Sequence, residues 1–166
     1  YLPQFGWTPT VITIDRPLHA ESDPSLLDDV KDADVVRTKA SALPAALMRR
    51  RPVRAALDRV LVPDGQITWR PEARRAIRDA CRTRTFDAVY TTCKPFSAAA
   101  LGLEVKRERR LPWVLDFRDL WIENPRFRSD APTPLHRRAH ERAERAALEG
   151  CDYFLATSPS SLRRVI

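Results

Sequence analysis

Short β-branched runs alternate along this chain with longer stretches whose apolar residues recur at helical spacing. Residues 11–14 (VITI) end at Asp15 and Pro17 and read as a buried strand. Residues 23–32 are acidic and polar, a loop with one helical turn around Leu26 and Leu27. Residues 34–38 (DVVRT) are a second strand. Residues 41–61 are helical in composition but broken by Pro44 and Pro52; beyond Pro52, Val53, Ala56, Leu57, Val60 and Leu61 keep helical spacing. Pro63-Asp64-Gly65 signals a turn, and residues 67–69 are ambiguous. Pro71 suits the first position of a helix to about Arg84, striped by Ala73, Ala76, Ile77, Ala80 and Cys81.

The alternation then becomes regular. Residues 88–92 (AVYTT) form a strand ending at Cys93-Lys94-Pro95, with a helix from about Phe96 to Arg109. Pro112 introduces the strand 113–117 (WVLDF). Polar, Pro-rich sequence fills 123–133. Thr133-Pro134 is a cap and first turn for a helix stopping at Gly150. Residues 153–157 (YFLAT) are a last strand, and Ser158-Pro159 opens another helix. Alternating strands and helices predict βαβ units in a Rossmann-like, doubly wound α/β fold with a parallel sheet. No internal repeat is present. Residues 1–6 look like the tail of a first helix with no strand before it. The first strand of such a sheet is central, so a strand, a loop and most of a helix are expected to precede Tyr1 in the parent protein.

Bulk properties narrow this picture. At 166 residues the chain suits one domain, and 31% charge of both signs with 43% hydrophobic content excludes default disorder. No apolar run reaches the roughly 18–20 residues of a membrane span. The opening YLPQFGWTP has no charged region followed by an apolar one, so it is not a signal peptide, and the absence of Met suggests a cut end. Three cysteines without a CxxC make neither a disulfide framework nor a zinc site, which fits a reduced, cytoplasmic setting. The net charge of +7 fits either a solvated Arg-rich surface or attraction to lipid headgroups, nucleic acid or phosphorylated substrates. It concentrates at Arg49, Arg50 and Arg51 and between Arg137 and Arg145.

In open α/β sheets ligands bind beyond the C-terminal ends of the strands. That rule selects Thr92-Cys93-Lys94, Arg118-Asp119 and Thr157-Ser158. Arg118 suits bidentate binding of a phosphate or carboxylate, and Asp119 suits orienting a hydroxyl or acting as a base. The same pair equally suits fixing the loop, with Trp121 as a packing lid. The turn at Lys94 opens a helix whose N–H groups attract anions, or is simply a capped turn. Cys93 has no neighbouring His and reads as a packing residue rather than a nucleophile. His136 and His140 lie four apart on a helix without an HExxH pattern or third ligand; a solvated helix face is the expectation, and no metal is expected. No GxGxxG or Walker A motif occurs.

These residues suggest a family. LPQFGWTPTVIT resembles the end of the first helix and the second strand of family-4, GT-B-type glycosyltransferases. DPSLLDDVKDADVVRT is similar to the acidic loop and strand that follow. FDAVYTTCKPFSAAALGLEVKRERRLPWVLDFRDLW resembles that family's block ending in R-D-(L/P)-W, and GCDYFLATSPS its closing strand. The RDLW block is the specific part, and the order is preserved over most of the chain. The resemblance implies the N-terminal, acceptor-side domain of a two-domain enzyme, without its first strand and Gly-rich loop. The nucleotide-sugar donor would bind a C-terminal domain absent here, so no cofactor is expected in this domain and the fragment alone is expected to be inactive. One departure is Thr92-Cys93-Lys94, where lipid-acceptor relatives often carry a His motif.

The resulting expectation is an acceptor-binding domain of a sugar transferase. Arg118 and Asp119 are its catalytic pair, and Thr92, Cys93, Lys94, Trp121 and Ser158 line the acceptor. The acceptor is a glycan, a lipid-linked sugar or a small molecule. Arg49, Arg50 and Arg51, beside an apolar helical stripe, would dock on an anionic membrane, giving a cytoplasmic protein peripheral on the inner face; the stripe also suits packing on the sheet. The alternatives are a nucleic-acid-binding module, disfavoured because aromatic and basic residues are not interleaved and no recognition motif occurs, and another Rossmann-type enzyme.

Overall fold

The computed structural model describes residues 2–15, 33–39, 60–125 and 133–165, with isolated positions 30, 50, 52, 53, 56 and 127. A 3-10 turn, Leu2–Phe5, stands where the tail of a helix was expected. Gly6 closes it at a φ of +79°, a conformation costly for any residue with a Cβ. The strands are β1 (Thr10–Ile14), β2 (Asp34–Thr38), β3 (Val89–Cys93), β4 (Trp113–Phe117) and β5 (Tyr153–Ala156). The helices are α1 (Arg70–Thr83), α2 (Ser97–Arg109), α3 (Pro134–Gly150) and α4 (Pro159–Val165). The ambiguous 67–69 stretch belongs to a 3-10 helix, Gly65–Trp69, that runs straight into α1. Most of the acidic loop and of the 41–61 stretch lies outside the described residues; Pro52, Val53, Ala56 and Val60 are helical.

All strand pairings are parallel, as the alternation predicted, but they form two sheets, β1-β2 and β3-β4-β5. Among the described residues no strand ladder joins the two sheets. Among the described residues no strand pairs with the outer edge of either. Helix α1 spans the division by packing on β1, β2 and α2. Arg70 and Arg74 reach Glu104 of α2 at 2.9 and 2.7 Å, and Arg74 also reaches Glu108 at 3.1 Å. At its other end Arg84 pairs with Asp34 at the start of β2.

The helices begin and end for local reasons. Pro71 lies in the first turn of α1, with Glu72 beside it complementing the helix dipole. The Thr133 hydroxyl caps α3 by accepting the His136 N–H at 3.1 Å. Lys106, Arg107 and Arg109 crowd the last turn of α2, which ends at left-handed Arg110, φ 57°. Gly150 ends α3, but not as the left-handed cap its position suggests: the chain leaves through extended Cys151. Its missing side chain instead makes room for Leu103 of α2.

The core lies between the three-stranded sheet and α2 and α3. Trp113, Leu115 and Phe117 of β4 point to this side and are buried, with Cys93, Phe96, Ala99, Trp121 and Ala147. Gly102 lets α2 close onto the Trp113 ring, whose Nε1 donates to Thr91 Oγ1 at 2.9 Å. The register puts Tyr90, Thr92, Val114, Asp116, Tyr153 and Leu155 on the opposite face. There Tyr90, Tyr153 and Leu155 are exposed.

Candidate functional site

The C-terminal ends of β3, β4 and β5 lie side by side, because Cys93 is in register with Phe117 and Phe117 with Ala156. The residues that follow each strand therefore share one edge. After β4, the Arg118 N–H donates to Cys93 O at 2.9 Å and prolongs the ladder by one rung. The Arg118 side chain is 69% exposed. Asp119, Thr92 and Lys94 are exposed beside it. Beneath them is Asp116, a buried carboxylate in the last turn of an otherwise apolar strand. It accepts from Tyr90 Oη at 2.6 Å and lies 4.0 Å from Arg118 Nη1.

Two strand ends, an exposed cation and carboxylate, and a buried acid beneath them thus meet where PWVLDFRDLW leaves the sheet. The chain belongs to the glycosyl transferase 4-like domain family. The match spans residues 1–166. Comparisons with curated proteins and with solved structures give no match.

The glycosyl transferase 4-like domain divides its sequence-predicted residues into two sets. Arg118, Asp119, Thr92 and Lys94 face solvent together at the edge. Cys93 and Trp121 do not: both are turned into the core, with 0% and 3% exposure. Their side chains offer no surface to an acceptor, and they shape the edge from behind. Burial, reinforced by the charges of Asp64 and Asp116, pushes the Cys93 thiol up to about 12, so it stays protonated at neutral pH. Ser158 sits at the same edge, half-buried, but its hydroxyl accepts the Ser161 N–H at 3.1 Å and caps α4. Arg50 is exposed, while Arg49 and Arg51 lie outside the described residues.

The anion seat expected at the start of α2 is filled from within. Asp64, in the Pro-Asp-Gly segment read as a simple turn, accepts the Ser97 N–H through Oδ2 at 3.1 Å. Burial raises its carboxyl above the ordinary value, against the lowering effect of donors on Ser97, Phe96 and Gln66. An external anion would meet this carboxylate first. Lys94 stands outside it, its Nζ 5.7 Å from the Phe96 ring centroid.

Tyr90 completes the acid's surroundings. Although the Tyr90 ring is exposed, partial desolvation of its hydroxyl end, then the hydrogen bond to Asp116 and its charge, hold the phenol at about 12, with Arg118 acting in the opposite sense. The phenol therefore remains a donor to Asp116 throughout the physiological range.

His136 and His140 correct the expectation of a solvated helix face. Both are buried, with 8% and 3% exposure. Their rings meet edge-to-face at 4.7 Å, and both line the aromatic side of α3 next to Trp121 and Phe127. An imidazole can be neutral and largely apolar, so it joins a core stripe that a hydrophobicity count does not credit to it. Among the described residues no group of three His, Cys, Asp or Glu could hold a metal. An open groove of about 420 Å³ on the helical side is lined by alanines of α2 and α3 with Leu103 and Trp121 and by the charged Arg70, Glu104, Arg107 and Glu108; neither Arg118 nor Asp119 lines it.

Asp116, Tyr90, Asp64 and His140 were not selected from the sequence. Asp116 had a usable signal: an acid in the middle of an apolar strand must find partners or stay neutral. The others gain meaning only through contacts 19 or more residues apart in sequence.

Proposed function

We propose that this domain binds the acceptor in a glycosyltransferase that moves a sugar from a nucleotide-sugar donor to a glycan, lipid-linked or small-molecule acceptor. The observation that carries this is the exposed Arg118-Asp119 pair above buried Asp116, at the sheet edge where α/β folds bind ligands. Arg118 holds a phosphate or hydroxyl of the acceptor, and Asp119 orients the hydroxyl that attacks. Asp116 and Tyr90 aim Arg118 from below. The donor is held by a second domain, as in two-domain enzymes of the GT-B type, and the anomeric configuration is retained. Family membership supports the transferase chemistry, and the edge geometry supports the acceptor role.

The test is turnover by the full-length protein against a panel of nucleotide-sugars and acceptors. Arg118→Ala is expected to reduce kcat/KM at least ~100-fold, the scale of removing a charged group from developing charge, with an unchanged circular dichroism spectrum. Wild-type turnover in that variant would assign Arg118 to loop structure. Arg49, Arg50 and Arg51 are proposed to bring the enzyme to the anionic inner face of a membrane. Equal, negligible sedimentation with neutral and anionic vesicles would remove that part.

A further inference from the structure

The short loop carrying Arg118 and Asp119 is fixed at both ends. At its start is the ladder bond from Arg118 N–H to Cys93 O. At its end Trp121 is buried, its ring stacked on Phe96 at 4.4 Å with planes 8° apart. The indole Nε1–H donates to His140 Nδ1 at 2.9 Å. One turn further along α3, Glu144 Oε1 accepts the Ile122 N–H at 3.2 Å. Only Asp119 and Leu120 lie between the two fixed points.

The contacts on Trp121 do different work. Stacking on Phe96 and edge contact with Phe117 hold the ring in the core, but dispersion tolerates sliding and rotation in the plane. The hydrogen bond is directional and removes that freedom. It uses Nδ1 of His140 as the acceptor, so a replacement must present an acceptor at that place to keep the bond. His136 packs edge-on against the His140 ring with both its nitrogens buried and unpartnered.

The geometry points to His140 as a positioning residue for the Arg118-Asp119 pair: its Nδ1 fixes the rotation of Trp121, and Trp121 fixes the loop. The inference rests on the acceptor role of that pair, but the hydrogen bond can be tested without it. Asn carries an acceptor oxygen one bond beyond Cγ, where Nδ1 sits in His. Leu fills similar space with no acceptor. Gln is polar but carries its oxygen one bond too far.

The experiment labels the full-length protein with nitrogen-15 and follows its indole signals, Trp121 being assigned by Trp121→Phe. His140→Leu is expected to accelerate Trp121 indole hydrogen exchange roughly five- to tenfold, the scale of one hydrogen bond. It should also increase relaxation-detected motion at the Asp119 and Leu120 amides. His140→Asn should restore both readouts. Should His140→Leu fail to fold, His140→Gln takes its place and should behave as the unlatched form. Wild-type exchange and loop motion in His140→Leu, or in its Gln replacement, would overturn the inference. So would an Asn variant no closer to wild type than the unlatched one, because that assigns His140 to packing alone. None of these signals depends on sugar transfer. Failure here removes the latch and leaves the acceptor reading standing; wild-type turnover by Arg118→Ala does the reverse.

Discussion

Gly102→Ala sets two effects of opposite sign against each other at the back of the site. In an exposed helix interior, replacing Gly by Ala stabilises by roughly 0.5–1 kcal/mol through backbone entropy. Gly102 is buried in α2 against Trp113, and an added Cβ would stand 2.7 Å from Trp113 Cζ2 and closer still to Nε1. Trp113 cannot yield easily. It is fully buried at the head of β4, and its indole N–H is bonded to Thr91. Overpacking of this kind costs about 1–3 kcal/mol, and loss of the Thr91 bond adds about 1 kcal/mol. Together these outweigh the helix gain, so the variant should be less stable by roughly 1–3 kcal/mol. Urea denaturation at 25 °C followed by tryptophan emission measures this as a fall in midpoint at constant slope. An unchanged or raised midpoint would refute the claim that α2 and β4 are rigidly apposed. It would also weaken the view of β4 as a stiff platform for Arg118.

Three further outcomes follow from titratable groups held away from their ordinary protonation range. In spectrophotometric titration one of the three tyrosines, Tyr90, should ionise near pH 12, and Asp116→Asn should bring it down toward the ordinary phenol range by removing the adjacent anion. Asp64 binds its proton more tightly folded than unfolded, so the stability it contributes is full below its ordinary value of 3.8 and is lost as pH rises through the elevated folded value. Asp64→Asn should flatten that part of the stability profile measured by urea denaturation across acid pH; an identical slope would contradict the buried capping role. A thiol held at about 12 and fully buried should resist aromatic disulfide reagents, so Cys93 is expected to react only upon unfolding, while rapid native labelling at Cys93 would contradict its placement.

Periodicity made most of the strands and helices legible because each element follows local rules. β4 was placed without error, since Pro112 fixes its start and the charge of Arg118 its end. β3 slipped by one residue: Cys93, read as the start of the turn, pairs with Phe117 and closes the strand. Gly150 was read as the stop of α3, where the helix does end, but its clearance for Leu103 is a role only a neighbouring helix reveals. The position of Arg118, Asp119, Lys94 and Thr92 at the exposed sheet edge was legible because a topological rule points to the strand ends. The direction of a side chain was less so. Cys93 and Trp121 belong to the segments selected from the sequence but face the core, because alternate positions on a strand point to opposite sides and the loop folds Trp121 back onto Phe96. The His136–His140 pair was misplaced because an imidazole counts as polar in a pattern and as aromatic in a packed interior.

The division of the strands into two sheets has a consequence for how the domain comes apart. The two sheets share no main-chain ladder among the described residues, whereas α1 joins them through guanidinium–carboxylate contacts. Those arginines are roughly two-fifths to one-half exposed, so their attraction is screened by dissolved ions, while the ladders within each sheet are not. Rising ionic strength is therefore expected to weaken these seam contacts more than the buried cluster of Trp113, Leu115 and Phe117 beneath Arg118, so the seam is where local opening should begin.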